Sequence, residues 1–111
     1  MTEEGGTVGD ALTIEEIGGE LGHRATLVQF SSAFCQPCRA TRRILTDVAE
    51  MVDGVASVEV DAESRLDLVR RLAITQTPTV FVLDAEGRVV RRASGQPRKV
   101  DVIAALGEAI R

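Results

Sequence analysis

The chain has 111 residues, 44% of them hydrophobic, with 13 basic and 17 acidic side chains. That supplies one domain with a single core, and because only 3% of the residues are aromatic, Val, Leu, Ile and Ala must fill it. Six of the acids fall within residues 1–22, which hold no Lys or Arg; the remaining 13 basic and 11 acidic residues are too nearly balanced to favour nucleic acid or an anionic membrane as a partner.

No run approaches the roughly 18 apolar residues of a membrane helix. The acidic, polar start is the reverse of a signal peptide, so the expected location is cytoplasmic. Removal of an upstream anchor or signal would change that to extracytoplasmic or membrane-anchored. A monomer is expected.

Residues 1–10 are Gly-rich and acidic and read as a flexible tail. In "ALTIEEIGGELG", Leu12, Ile14, Ile17 and Leu21 alternate with acids and predict a helix over about 14–21, weakened by Gly18 and Gly19, with an optional strand near Ala11–Thr13. "RATLVQFSS" predicts a strand at about 25–31. A helix should run from Cys35 to about Val52, with Ile44, Leu45, Val48, Met51 and Val52 at helical spacing and Gly54 as its stop.

"VASVEVD" predicts a strand at 55–60, and Leu66, Val69 and Leu72 then form one helical stripe. "PTVFVLDAEGRVVRRASG" is a hairpin turning at Asp84–Gly87, with a second strand over Arg88–Ala93. Pro97 suits the first turn of a last helix whose buried face would be Val100, Ile103, Leu106 and Ile110. Alternating strands and helices followed by a hairpin imply an α/β domain, a mixed sheet with helices on both faces.

The two cysteines, Cys35 and Cys38, follow a strand and open a helix. Free backbone N–H groups and the positive dipole end there favour a thiolate at Cys35, and Arg39, Arg42 and Arg43 add positive charge. Cys38 lies one turn behind and should be more buried, which makes Cys35 the attacking thiol and Cys38 the resolving one. Pro37 stiffens the first turn without removing a backbone hydrogen bond. A zinc site would need about four ligands, and His23 is the only further soft one, so no metal is expected. The pairs Arg42–Arg43, Arg70–Arg71 and Arg91–Arg92 lie on separate elements without interleaved aromatics and read as solvated faces.

"TLVQFSSAFCQPCRATRRIL", "VEVDAES" and "LAITQTPTVFVLDAEGRVVRRASG" resemble the thioredoxin family over roughly residues 12–110. The resemblance implies the thioredoxin fold over residues 11–111, a central mixed sheet flanked by helices on both faces. It implies that Phe34 stands where the family carries a Trp before the nucleophile. Thr77–Pro78 matches the cis-proline loop that offers backbone groups to a bound peptide, and Gly95 matches a glycine that admits substrate. Taken alone, Pro78 is a strand-start proline and Gly95 a turn glycine.

Four positions depart from the family pattern that the resemblance implies. Gln29 replaces a buried Asp beneath the cysteines, Ser57 replaces the Lys that pairs with it, and Ser31 and Phe34 replace two Trp residues at the partner-facing rim. The resemblance implies a thiol–disulfide oxidoreductase acting on disulfide-bearing proteins. It would use no prosthetic group beyond its redox-active disulfide, and a reductase or other dithiol would be its electron donor. Gln36–Pro37 is closer to the Gly-Pro of reducing members than to the His-containing pairs of oxidising ones. A binding module with little redox activity and a thiolate metal carrier stay open as alternatives.

Overall fold

Seven successive buried side chains, Ala25–Ser31, form the first strand, β1. A residue run with no exposed face belongs inside a sheet covered on both sides. This computed structural model describes residues 9–111 and shows that arrangement. In chain order follow α1 (Ile14–Ile17), β1, α2 (Gln36–Met51), β2 (Val55–Asp61), a 3-10 turn (Ala62–Ser64), α3 (Leu66–Arg71), β3 (Thr79–Asp84), β4 (Val89–Ser94) and α4 (Lys99–Ile110).

Among the described residues the sheet has the order β2-β1-β3-β4, with β1 and β2 parallel and the other neighbours antiparallel. Among these residues no helix is long and apolar enough to cross a membrane. The expected tail lies outside the described residues as far as residue 8. Gly9 and Asp10, assigned to that tail, instead hydrogen-bond Val89 at 2.8 and 2.7 Å.

The two-residue period of the strands sorts the core into two halves. Ala25, Leu27, Val80 and Val82 meet Leu45 and Val48 of α2 and Val102, Ala105, Leu106 and Ala109 of α4. On the opposite face Val28, Phe30, Val60, Phe81 and Leu83 meet Leu12, Ile17, Leu68 and Leu72. Phe30 and Phe81 pack edge to face with centroids 5.5 Å apart. Gln29 and Ser31 share the parity of Leu27 and therefore face α2.

Several expectations shift. α1 stops at Ile17 because Gly18 adopts φ +71, while Thr13 and Glu16 form a capping box at its start. The optional strand near Ala11–Thr13 is a single bridge from Ala11 to Arg88. In α2 Met51 is exposed, and in α3 Leu66 is exposed while Leu68 takes the buried place. α4 turns a different stripe inward: Val100 and Ile103 are exposed, and Val102, Ala105, Leu106 and Ala109 are buried, with Ile110 packed at the edge. Two alanines on that stripe let the helix lie close to the sheet. Pro97 precedes the N-cap residue Arg98 and so stands ahead of the helix.

The arginine pairs are not uniformly solvated. Arg71 pairs with Glu16, and Arg91 binds Glu108 through two nitrogens at 2.9 and 3.0 Å. Arg92 is 1% exposed, among the largest fully buried side chains. Its partners are backbone carbonyls of the α3 end, which no charge pattern announces.

Gly22 is needed for close approach. A Cβ there would stand 2.2 Å from the Ala25 carbonyl oxygen and 2.5 Å from that of Gly54. Gly22→Ala is expected to lower unfolding stability by about 1–3 kcal/mol. Gly107 in α4 has open space around its Cα, so Gly107→Ala should raise stability by about 0.5–1 kcal/mol. Urea denaturation of the two variants reads both signs.

Candidate active site

β1 delivers the chain to the sheet edge at Ser31, and Ser32–Phe34 turn it back into α2. Cys35 is the N-cap residue of α2, with extended backbone at φ −95, and Pro37 occupies the first turn. The Cys38 N–H donates to the Cys35 carbonyl at 3.2 Å, and the two sulfurs are joined in a disulfide with Cα atoms 5.3 Å apart. Cys35 is half-buried and Cys38 is 1% exposed. A partner can therefore reach the first sulfur more readily than the second. Gln36 and Arg39 are exposed beside them.

Phe34, the residue before Cys35, is fully exposed and sits at φ +62. Left-handed backbone costs an L-residue roughly 1–2 kcal/mol. An apolar ring held outside the core at that cost fits a contact surface better than a packing role.

A second loop reaches the same edge. Thr77–Pro78 is a cis peptide, and Pro78 is buried. The hydroxyls of Ser32 and Thr77 lie 2.7 Å apart in a hydrogen bond, fastening the loop before Cys35 to the loop before Pro78. The Gly95 N–H donates to the Pro78 carbonyl at 2.8 Å, which places Gly95 against the same loop at φ +85. The structure thus sets the loop of Thr77 and Pro78, with Gly95 bonded to it, beside the loop that leads through Phe34 to Cys35 and Cys38.

Beneath the disulfide, Gln29 is 2% exposed. Its Nε2 donates to the Cys38 carbonyl at 2.8 Å and to the Ser31 hydroxyl at 2.9 Å. A carbonyl oxygen only accepts, so this contact requires a donor and settles which way the amide points. Ser31 is buried and accepts from Gln29, so it belongs to this internal contact and is not part of the rim where the family pattern put a Trp.

Glu59 pairs in register with Gln29 on the neighbouring strand, and it was not singled out from the sequence. Arg42 binds its carboxylate through two nitrogens at 2.8 and 2.7 Å. Read from the sequence as charge available to the thiolate, Arg42 is instead held by this carboxylate. The Arg42 hydrogen bonds hold the Glu59 pKa below the ordinary carboxylate range against partial burial, with Ser31 adding to the effect. Gln29, Arg42, Ser57 and Glu59 line a cleft of about 390 Å³ between α2 and β2. A second missed contact joins the Ala33 N–H to Glu63 at 3.3 Å. Among the described residues no group of three or more His, Cys, Asp or Glu side chains is placed to hold a metal ion.

A disulfide at the start of a helix, with one cysteine more accessible than the other, is chemically suited to thiol–disulfide exchange. A family model described as Thioredoxin matches residues 15–108, and the chain belongs to the thioredoxin family. It is 30% identical over 86 residues to human "Thioredoxin domain-containing protein 2", a match that covers 78% of this chain and 16% of that protein. It is 27% identical to the "Thioredoxin" of Mycolicibacterium smegmatis, with 99% of this chain and all of that one covered. The crystal structure of reduced Schistosoma mansoni thioredoxin pre-protein superposes with a TM-score of 0.68 at 20% identity, covering 80% of this chain and 82% of that chain, and shares the fold.

Gln29→Glu keeps the shape and removes donors. It should cost about 1–3 kcal/mol, with the loss larger at pH 7 than at pH 4, because only the protonated acid can donate to the Cys38 carbonyl. For Glu59 the sign is opposite. A depressed folded pKa gives stability that is present above the unfolded value of about 4.3 and lost as pH falls below it. Because the pair is largely exposed, Glu59→Gln should remove less than about 1 kcal/mol at pH 7 and less still at pH 4. Denaturation at the two pH values measures both effects.

Proposed function

We propose that this protein is a thiol–disulfide oxidoreductase that reduces protein disulfides. The carrying observation is the Cys35–Cys38 disulfide at the start of α2, with Cys35 reachable and Cys38 buried. In the reduced protein the Cys35 thiolate attacks one sulfur of a partner disulfide. A bond forms from Cys35 Sγ to that sulfur, and the partner's other sulfur leaves as a thiolate. Cys38, after giving up its proton, attacks Cys35 Sγ, which closes the Cys35–Cys38 disulfide and releases the second partner thiol. An external dithiol donor returns two electrons and two protons to the pair, and no prosthetic group takes part.

The positive dipole end at the α2 start supports the thiolate form of Cys35. Phe34 offers an exposed apolar contact to the partner, and the Thr77–Pro78 backbone offers polar ones, with Gly95 leaving room beside it. The Gln36–Pro37 pair between the cysteines supports reduction over oxidation as the main direction. Gln29 does not titrate, so the Cys38 proton passes to solvent or to the departing partner thiolate.

That last feature also supports a second reading, a binding module of the same fold with slow exchange chemistry. Reduction of insulin with dithiothreitol, followed as turbidity, decides between them. The oxidoreductase reading expects clear acceleration by the native protein and none by Cys35→Ser. Native protein no faster than dithiothreitol alone would sink it. Phe34→Ala should leave unfolding stability within about 0.5 kcal/mol of the native value while raising KM for insulin.

A further inference from the structure

Arg92 is the largest fully buried side chain in the described structure. Taking a guanidinium out of water is costly, and a leucine would fill comparable space at less cost. Its contacts point to what it does. Nη1 donates to the Leu72 carbonyl and Nη2 to the Ala73 carbonyl at 3.1 Å, the last carbonyls of the α3 end. The guanidinium carbon also lies 5.1 Å from the centroid of Phe81, its cross-strand partner on β3.

These contacts join two points that bracket one loop. Ala73, at φ +54, is where the chain leaves α3, and Phe81 stands three residues beyond Pro78. Between them, residues 74–78 carry Thr77–Pro78 to the disulfide. The far half of the loop has its own ties: Thr79 Oγ1 donates to the Gln76 carbonyl at 2.7 Å, and Ser32 bonds Thr77. At the near end the Ala73 and Ile74 N–H groups bond back to α3, and Arg92 adds the side-chain tie from there to β4, its planar fork reaching two consecutive carbonyls.

We propose that Arg92 is a positioning residue for the exchange site: it holds the start of the α3–β3 loop against β3 and β4, and so sets how Thr77–Pro78 meets a disulfide-bearing partner without touching that partner. This rests on the oxidoreductase reading for its functional consequence and on the geometry alone for its structural one. Lysine at this position keeps the charge and loses the fork; leucine loses both.

The test compares native protein, Arg92→Lys and Arg92→Leu, well below their unfolding temperatures. KM for insulin should rise about tenfold in Arg92→Leu and less in Arg92→Lys, with kcat and the rate of Cys35 alkylation unchanged. Amide exchange should quicken about tenfold at Gln76 and Thr77 in the leucine variant but not in the strands. Lysine is the variant read if leucine does not fold. Unchanged KM with an active native protein, or exchange that quickens evenly through the sheet, would reduce Arg92 to a core residue and overturn the proposal. An inactive native protein would remove the oxidoreductase reading, and the exchange pattern would still decide whether Arg92 holds the loop.

Discussion

The double-sided burial of β1 is the constraint from which the site follows. With Leu27 committed to the α2 and α4 face and Val28 and Phe30 to the other, the strand has no freedom to slip by a single residue. Its end at Ser31 is therefore fixed at one edge of the sheet. The chain must turn there, and α2 must start where Leu45 and Val48 can return to the sheet. That places Cys35 at an exposed helix start and Cys38 one turn inward against β1. The difference in burial between the two sulfurs is a consequence of sheet packing.

The same strand carries the polar side chain that lies beneath the cysteines. Gln29 faces α2 by parity with Leu27, so a polar side chain is buried directly under the first turn of the helix. Its amide meets the Cys38 carbonyl with a donor, which a carboxylate could not do. The nearby carboxylate is on the adjacent strand, at Glu59, and Arg42 neutralises it. The Arg42–Glu59 pair lies at the rim of a cleft, where water can solvate both partners. A neutral amide at this buried position carries no charge-desolvation cost.

The site is completed by ties between loops that are distant in sequence. Ser32 to Thr77 spans 45 residues, and Arg92 reaches back 20 residues to Leu72. The first joins the loop before Cys35 to the loop before Pro78, and the second joins the end of α3 to β4. Fastening of this kind is what a site needs when two reacting sulfurs and a partner backbone must align.

Much of this was legible in the chain itself. Apolar periodicity determined where β1, α2 and the hairpin lie, and the Cys-Gln-Pro-Cys spacing at a strand–helix junction determined which residues could form the dithiol. Local signals misjudged the short helices, because a six-residue α3 and the alanine-rich stripe of α4 present more than one apolar stripe and packing selects among them. Glu59 was invisible as a neighbour of Gln29 because the register of parallel strands is set by a crossover, not by a turn. Arg92 looked like one more surface cation, since nothing local distinguishes an arginine that meets solvent from one that meets carbonyls. The sequence by itself determined the elements and the placing of Cys35 and Cys38 at a strand–helix junction, which depend on neighbours along the chain. Only the tertiary structure decided which polar groups surround them, because those contacts form between residues that folding alone brings together.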